Sequence, residues 1–422
     1  MCGIVGYTGK KKPLQILIDG LRTLEYRGYD SAGISFWGNP SIKTVKRAGR
    51  LDNLVNAISG EVDTEERAAI GHTRWATHGV PNDINAHPHS DCNNQVFLVH
   101  NGIIENFKQL RQDLEKKGHK FKSDTDTEVI THLIEEELNK RSGKDAVRRA
   151  ILESINKLHG AYALLIMVSE EPNTLYAIKN FSPLVLGVGK NEYIIASDPT
   201  PIIKHTRDII YMNDGDMAIV TPDAYEFVDF KHNPIAKSIS KVDWNIEMSE
   251  RGGFPDFSLK EIFEQPEVLE NVLRGRLVIE DGSAKLGGLE NVEDELRNIK
   301  RIIITACGSS FFAGGVGEYM LEEYAGIPTE VELASEFRYR KPIVDKDTAV
   351  ILISQSGETA DTIAALRESR NKGAITLGIV NAVGSSIARD THAGVYTHAG
   401  PEISVAFAEI RILRPRRAAP RI

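Results

Sequence analysis

Between about residue 221 and residue 260 the hydrophobic rhythm of this chain changes, and that change constrains the fold more than any other feature. Upstream, β-rich runs at 32–37, 68–73 and 95–100 precede helical patterns at 106–117, 127–141 and 144–158. Further β-rich runs follow at 161–169, 174–180, 184–189, 192–197 and 208–221, the last containing the turn signal Asn213-Asp214-Gly215. In the second helical pattern Val129, Ile130, Leu133, Ile134 and Leu138 share one face. Gly160 stands where the third can be capped. Strands, then helices, then strands again predict a layered α+β domain whose sheets are covered by helices. Downstream, apolar runs at 301–306, 348–354, 376–381 and 393–397 alternate with helical patterns at 312–324, 360–372 and 386–390. That alternation predicts an α/β, doubly wound parallel sheet. The polar stretch between them, punctuated by Pro222, Pro234, Gly252, Gly253 and Pro255, reads as a linker. The expected plan is one domain over 2–220, a linker over 221–260 and a second domain over 261–406.

Composition narrows the function. A length of 422 residues suits two or three domains, and 41% hydrophobic with 26% charged residues excludes a disordered chain. Lys plus Arg number 51 against 59 Asp plus Glu, a formal charge of −8, so no nucleic-acid partner is expected. The cysteines, Cys2, Cys92 and Cys307, are scattered and odd in number, which suits a reducing cytoplasm rather than a disulfide framework. The longest apolar run, 161–168, falls far short of the ~20 residues that span a bilayer. Lys10, Lys11 and Lys12 stand where a signal peptide needs its apolar core, so no membrane association is expected. Cys92 with His87 and His89 matches no zinc spacing, so no metal is expected either.

The most informative tetrapeptide is Met1-Cys2-Gly3-Ile4. A small second residue permits removal of the initiator methionine, which leaves Cys2 with a free α-amine. An α-amine titrates near about 7.7–8.0 and a thiol near about 8.5, so one residue then carries both a base and a nucleophile. Four runs accompany it: Leu24 to Gly33 (LEYRGYDSAG), Gly71 to Gly79 (GHTRWATHG), His100-Asn101-Gly102, and Ser123 to Glu128 (SDTDTE). Without more context, Asp126 could merely favour a helix start, with Thr125 and Glu128 at capping-box spacing. Likewise Trp75 could be core, and His72 and His78 could be structural histidines.

With Met-Cys-Gly-Ile in front, these runs resemble the glutamine amidotransferases with an N-terminal nucleophile cysteine. The resemblance implies an αββα sandwich of the N-terminal-nucleophile hydrolase kind with Cys2 at the end of a central strand. It implies Cys2 as nucleophile, with Asn101 (side-chain amide) and Gly102 (backbone N–H) forming the oxyanion hole. Two such donors are each worth about 3–4 kcal/mol at a developing alkoxide. Arg74 is implied to pair with the glutamine α-carboxylate and Asp126 with its α-ammonium. Thr77 and His78 are implied to line the glutamine pocket, Trp75 to stand near the ammonia exit, and Arg27 to steady the Cys2 terminus.

In the second half, two apolar strands run into small hydroxylated turns: Cys307-Gly308-Ser309-Ser310, and Ser354-Gln355-Ser356-Gly357-Glu358-Thr359. A strand, such a turn and a helix start present backbone N–H groups and hydroxyls to an anion, and phosphate is the natural guest. No Walker lysine follows either glycine, so a nucleoside triphosphate is not expected. These turns look like those of sugar isomerase (SIS) domains. The likeness implies that Ser309, Ser310, Ser354, Gln355, Ser356 and Thr359, with a backbone contact from Val405, hold fructose 6-phosphate. Taken together, the two resemblances imply transfer of glutamine-derived ammonia to fructose 6-phosphate, giving glucosamine 6-phosphate and glutamate. No cofactor is required, and the family pairs its sugar halves as a homodimer.

The chain departs from that pattern after Ala406. The family continues Ser-Thr-Lys-Ala-Phe and then a second SIS half, whereas residues 407–422 read FAEIRILRPRRAAPRI. Three readings stay open there, a solvated basic tail, a short nucleic-acid or membrane anchor and a sequence that has left its reading frame; the missing second SIS half implies a truncated sugar half. Two rival functions also stay open: a non-catalytic phosphosugar-binding sensor, and the glutaminase half of another amidotransferase of this type.

Overall fold

The computed structural model describes residues 2–25, 28–38, 41–58, 67–76, 78–143, 145–242, 253–278, 282–400, 402 and 404. The chain divides into two compact units, Met1–Ile246 and Glu247–Ile422.

Among the described residues the first unit is built on fourteen strands: β1 (Gly3–Gly9), β2 (Ser31–Gly38), β3 (Ser41–Ala48), β4 (Ala68–Arg74), β5 (His89–Ser90), β6 (Val96–Ile104), β7 (Gly160–Val168), β8 (Leu175–Asn180), β9 (Val185–Gly189), β10 (Glu192–Ala196), β11 (Asp208–Tyr211), β12 (Asp216–Val220), β13 (Tyr225–Asp229) and β14 (Ser240–Lys241). They form an eight-stranded sheet, β14-β11-β9-β10-β1-β4-β2-β3, and a six-stranded sheet, β13-β12-β8-β7-β6-β5. The helices are α1 (Pro13–Leu24), α2 (Leu51–Ile58), α3 (Phe107–Lys116), α4 (Glu128–Leu138), α5 (Ala146–Ile155) and α6 (Thr200–Ile203).

Strand periodicity sorts the side chains into three cores. On β6 and β7, Phe97, Val99, Ala163 and Leu165 join Ile4, Ile70 and Leu186 between the sheets. The alternate residues Val96, Leu98, Leu164 and Ile166 face the other way and pack on Val129, Ile130 and Ile134 of α4 and on Ile151 of α5. Val5 and Tyr7 on the outer face of the larger sheet meet Leu17 and Leu21 of α1, Leu54 of α2 and Ile202 of α6. Away from their edge strands, both sheets are therefore buried on both faces, which is why the inner strands read as continuous apolar runs. This is the αββα sandwich.

Two expectations change. The segment 208–221 is not one strand: the Asn213-Asp214-Gly215 turn carries the chain from β11 in the larger sheet to β12 in the smaller. The boundary at 220 also falls inside the first unit, because β13 and β14 extend the two sheets from within the span read as a linker. Short strands in polar sequence are hard to tell from loops until a sheet edge pairs with them.

The second unit begins with α7 (Phe257–Leu273), the hairpin β15 (Leu277–Val278) and β16 (Ser283–Ala284), and α8 (Glu293–Leu296). Its centre is a parallel sheet in the order β18-β17-β19-β20-β21, formed by β17 (Arg301–Ala306), β18 (Thr329–Leu333), β19 (Thr348–Ser354), β20 (Ile375–Val380) and β21 (Ala393–Tyr396). The helices are α9 (Ser309–Ala325), α10 (Ala334–Tyr339), α11 (Ala360–Asn371) and α12 (Ser386–Asp390). One face packs Ile303, Val350 and Leu352 against Phe337, Ile363, Leu366 and Ile387. The other packs Ile302, Ile304 and Ile353 against Phe311 and Leu321 of α9. The sheet is thus wound on both sides, and the strand order reverses between β17 and β19.

Candidate active site

β1 lies centrally in its sheet, between β10 and β4, and Gly3 pairs with Thr73. Cys2 therefore sits at the strand's open end, beside the last residue of β4, Arg74. Trp75 N–H donates to Cys2 Sγ at 3.2 Å, and the thiol lies 3.5 Å from Trp75 O. Burial pushes the Cys2 thiol up, while the Trp75 N–H and the Arg74 guanidinium pull it down. A group that strips this proton has to be close at hand.

The smaller sheet supplies the next group. Toward the C-terminal end of β6, Asn101 Nδ2 donates to Cys2 O at 2.9 Å. Its Oδ1 lies 3.0 Å from His72 Nε2, which is also 3.0 Å from His100 O. Both of those neighbours are acceptors, so Nε2 carries the ring proton and the amide is turned with its NH2 toward Cys2. Burial lowers His72 to about 3, so the ring stays neutral. Gly102 follows with φ of 129°, and a Cβ there would lie 1.9 Å from Ala161 O. Only glycine fits this positive φ and close approach to the neighbouring strand.

Arg74 is buried, and its Nη2 donates to His78 O and, at 3.4 Å, to Gly79 O. Its Nη1 is buried and has no hydrogen-bond partner among the described residues. Burial lowers the Arg74 pKa against the pull of Cys2, Asp126 and Asp30. Asp126 is also buried, and its Oδ2 accepts from Ile104 N at 2.8 Å. It does not cap a helix: α4 has Thr127 at its N-cap position, and Glu128 instead accepts from Lys122 N and Ser123 N. Trp75 is 45% exposed and meets Tyr29 edge to face, so it is not core. His78 is half-buried and lies edge to face against Phe107. Arg27 and Thr77 lie outside the described residues.

The sequence reading assigned no role to two residues that organise this site. Asp30 Oδ2 accepts from Ala76 N at 2.8 Å and so shapes the turn that carries Trp75. His72, open to a purely structural reading in the sequence, orients Asn101. Its signal was present, since His72 and Arg74 are two apart on one strand and share a face.

In the second unit both candidate phosphate turns stand at the C-terminal ends of adjacent strands, where Ala306 pairs with Ile353. They flank the reversal of strand order, where open α/β sheets bind ligands. Gly308, at φ of 59°, leads into Ser309 and buried Ser310 at the start of α9. Ser354 Oγ accepts from Gly357 N at 3.1 Å and lies 3.2 Å from Thr359 Oγ1, while Ser356 Oγ accepts from Glu358 N at 3.2 Å. Gln355 O takes the N–H groups of Asn381 and Ala382. Ser354 and Ser356 thus brace the turn from within. Gly357 has φ of 63°, and a Cβ there would lie 1.9 Å from Ser385 Oγ. Val405 lies outside the described residues.

The expected absence of a metal rested on Cys92 with His87 and His89. The fold instead gathers Cys92 with His119, His132 and Glu135. His87 and His89 meet Thr127 and Thr125.

The sequence model of the glutamine amidotransferase domain matches residues 72–204, and that of the SIS domain matches 295–413. A glutamine–fructose-6-phosphate aminotransferase (isomerizing) of Chlorobaculum tepidum is 48% identical over 408 residues, 96% of this chain and 66% of that protein. Its namesakes in Thermus thermophilus and Clostridium tetani are 46% and 47% identical over 406 residues, each 96% of this chain and 65% and 66% of theirs. The chain belongs to the glutamine–fructose-6-phosphate aminotransferase family. It spans just under two thirds of the length of these family members. A solved C-terminal domain of the Francisella tularensis glucosamine-fructose-6-phosphate aminotransferase aligns at 37% identity over 39% of this chain and 46% of its own, with a TM-score of 0.36.

Proposed function

We propose that the first unit is a glutaminase with Cys2 as nucleophile, and that the second is a SIS domain holding fructose 6-phosphate as acceptor of the ammonia released. The observation that carries the reading is the meeting of Cys2 Sγ, the Asn101 amide and the buried, half-paired Arg74 at adjoining strand ends. An α-amino acid with a side-chain amide matches that set. Its carboxylate takes the unpartnered Arg74 Nη1, its ammonium faces Asp126, and its amide carbon reaches the sulfur.

After removal of Met1, the α-amine of Cys2 takes the thiol proton and the thiolate attacks the side-chain carbonyl. The C=O electron pair moves onto oxygen, which Asn101 Nδ2 and Gly102 N–H stabilise. The amine returns the proton to the leaving nitrogen, ammonia departs, and a glutamyl thioester remains for water to hydrolyse. His78 lines the pocket and Trp75 stands at the ammonia exit. In the other unit, Ser309, Ser310, Ser354, Gln355, Ser356 and Thr359 receive the sugar phosphate. In the reaction of the full-length family, ammonia displaces the C2 carbonyl oxygen of the sugar as water and the imine isomerises to glucosamine 6-phosphate, with glutamate released from the glutaminase half.

No helix among the described residues is long and apolar enough to cross a membrane. We place the protein in the cytoplasm, and as a homodimer through its sugar half, where Phe312, Tyr319 and Tyr324 of α9 are 74%, 74% and 75% exposed.

Cys2→Ala is expected to abolish release of glutamate from glutamine, with intact mass reporting whether Met1 has been removed. Glutamate release that survives the substitution refutes the nucleophile. Fructose 6-phosphate bound by a chain that hydrolyses no glutamine favours the sensor.

A further inference from the structure

We propose that Cys92, His119, His132 and Glu135 form a four-ligand site for zinc, separate from the glutamine site. The four residues come from three places in the first unit: the turn before β6, the loop after α3, and α4, where His132 and Glu135 are three apart and share a face. One ligand atom from each lies within 4.8 Å of all the others.

The spacings fit an ion. Cys92 Sγ is 3.9 Å from His119 Nδ1 and 3.7 Å from His132 Nδ1. Glu135 Oε2 is 2.9 Å from His119 Nδ1 and 3.2 Å from His132 Nδ1. A tetrahedral zinc with Zn–S about 2.3 Å and Zn–N or Zn–O about 2.0–2.1 Å puts sulfur about 3.6 Å from nitrogen, and nitrogen about 3.4 Å from oxygen. The side chains need only small shifts to reach those values.

Proton counting points the same way. His119 meets a carboxylate oxygen at both nitrogens, whereas His132 does so at Nδ1 and its buried Nε2 has no hydrogen-bond partner among the described residues. His119 Nε2 lies 3.2 Å from Glu136 Oε1, and His132 Nε2 lies 3.6 Å from Glu128 Oε1. A neutral ring has one N–H, so one nitrogen of His119 would face an oxygen lone pair with a lone pair of its own. A cation among the four atoms removes that conflict. It takes both Nδ1 lone pairs and leaves the His119 Nε2–H to Glu136, as in carboxylate–histidine–zinc arrangements.

A thiolate and two imidazoles disfavour magnesium and calcium and suit zinc. Four protein ligands close the coordination sphere, so the role is structural. The ion ties the turn before β6 and the end of α3 to α4, next to the segment that carries Asp126.

The test uses the full chain, purified in excess zinc and then desalted. About one zinc per chain is expected by elemental analysis. Cobalt(II) added to the stripped protein is expected to produce a thiolate-to-cobalt charge-transfer band. Cys92→Ser loses that band and Cys307→Ser keeps it. Glu136→Gln, which removes a partner of a ligand and leaves the four ligands intact, weakens zinc binding by about 10–100-fold. Substoichiometric zinc in the native protein, or a cobalt spectrum without the thiolate band, overturns the proposal. Both of those readouts come from the unsubstituted chain, and neither depends on glutaminase activity.

Discussion

Asn101 presents its NH2 group to Cys2 because His72 holds its oxygen from behind. Removing that hold with His72→Ala frees the amide to rotate. The expected result is a glutaminase kcat lowered about 10-fold or more with KM for glutamine little changed, read from steady-state glutamate release. Gly102→Ala is more severe, because its Cβ meets Ala161 O and moves the second donor. A fall in kcat of about 10²–10³ is expected. Arg74 behaves differently. Its unpaired Nη1 suits one arm of a bidentate pair, so Arg74→Lys keeps the charge but loses the fork. KM for glutamine is expected to rise about 10–100-fold, the worth of a charged hydrogen bond. A kcat effect with unchanged KM counts against the carboxylate role.

Among the elements, β4, β6 and the start of α4 enclose a buried group of histidines. His72 and His87 stack at 4.3 Å, and His89 lies edge to face with His87 at 4.8 Å. Burial holds His72 at about 3 and lowers His87, His89 and His100 below the ordinary 6.5. Below about 6.5 the unfolded chain therefore binds more protons than the folded one. The stabilisation is complete above that pH and is lost as pH falls, by up to about 1.4 kcal/mol per pH unit for each histidine. Thermal melting of the first unit is expected to drop steadily from pH 7 to pH 5, measured in chelator so that metal release does not contribute. A flat profile contradicts the neutral cluster. In the second unit, the turn after β19 depends on Gly357, and Gly357→Ala is expected to abolish fructose 6-phosphate binding by calorimetry while glutamine hydrolysis continues. Much of this layout was legible because strand and helix periods differ. The runs at 301–306 and 348–354 coincide with β17 and β19, and the face of Val129, Ile130 and Ile134 packs on the smaller sheet. β13, β14 and β18 were not legible, since short edge strands are defined by the neighbour they pair with.

For the chain as a whole, each unit carries its own cores, three in the first and two in the second among the described residues. Ligand shifts are therefore expected to be local. In differential scanning calorimetry, fructose 6-phosphate raises the transition of the second unit and zinc raises that of the first. A single transition moved equally by both contradicts this independence. Local patterning was enough to indicate a layered α+β domain followed by a doubly wound parallel sheet, and to single out the candidate nucleophile and phosphate turns, because periodicity and side-chain chemistry are properties of short stretches. Orientation was not available there: Asp126 had the sequence of a helix cap and became a partner of Ile104 N–H instead. Long-range folding alone placed His72 behind Asn101 and brought Cys92 to His119 and His132 rather than to His87 and His89. Those contacts depend on strand order and register, which join residues far apart in the chain and which no local pattern encodes.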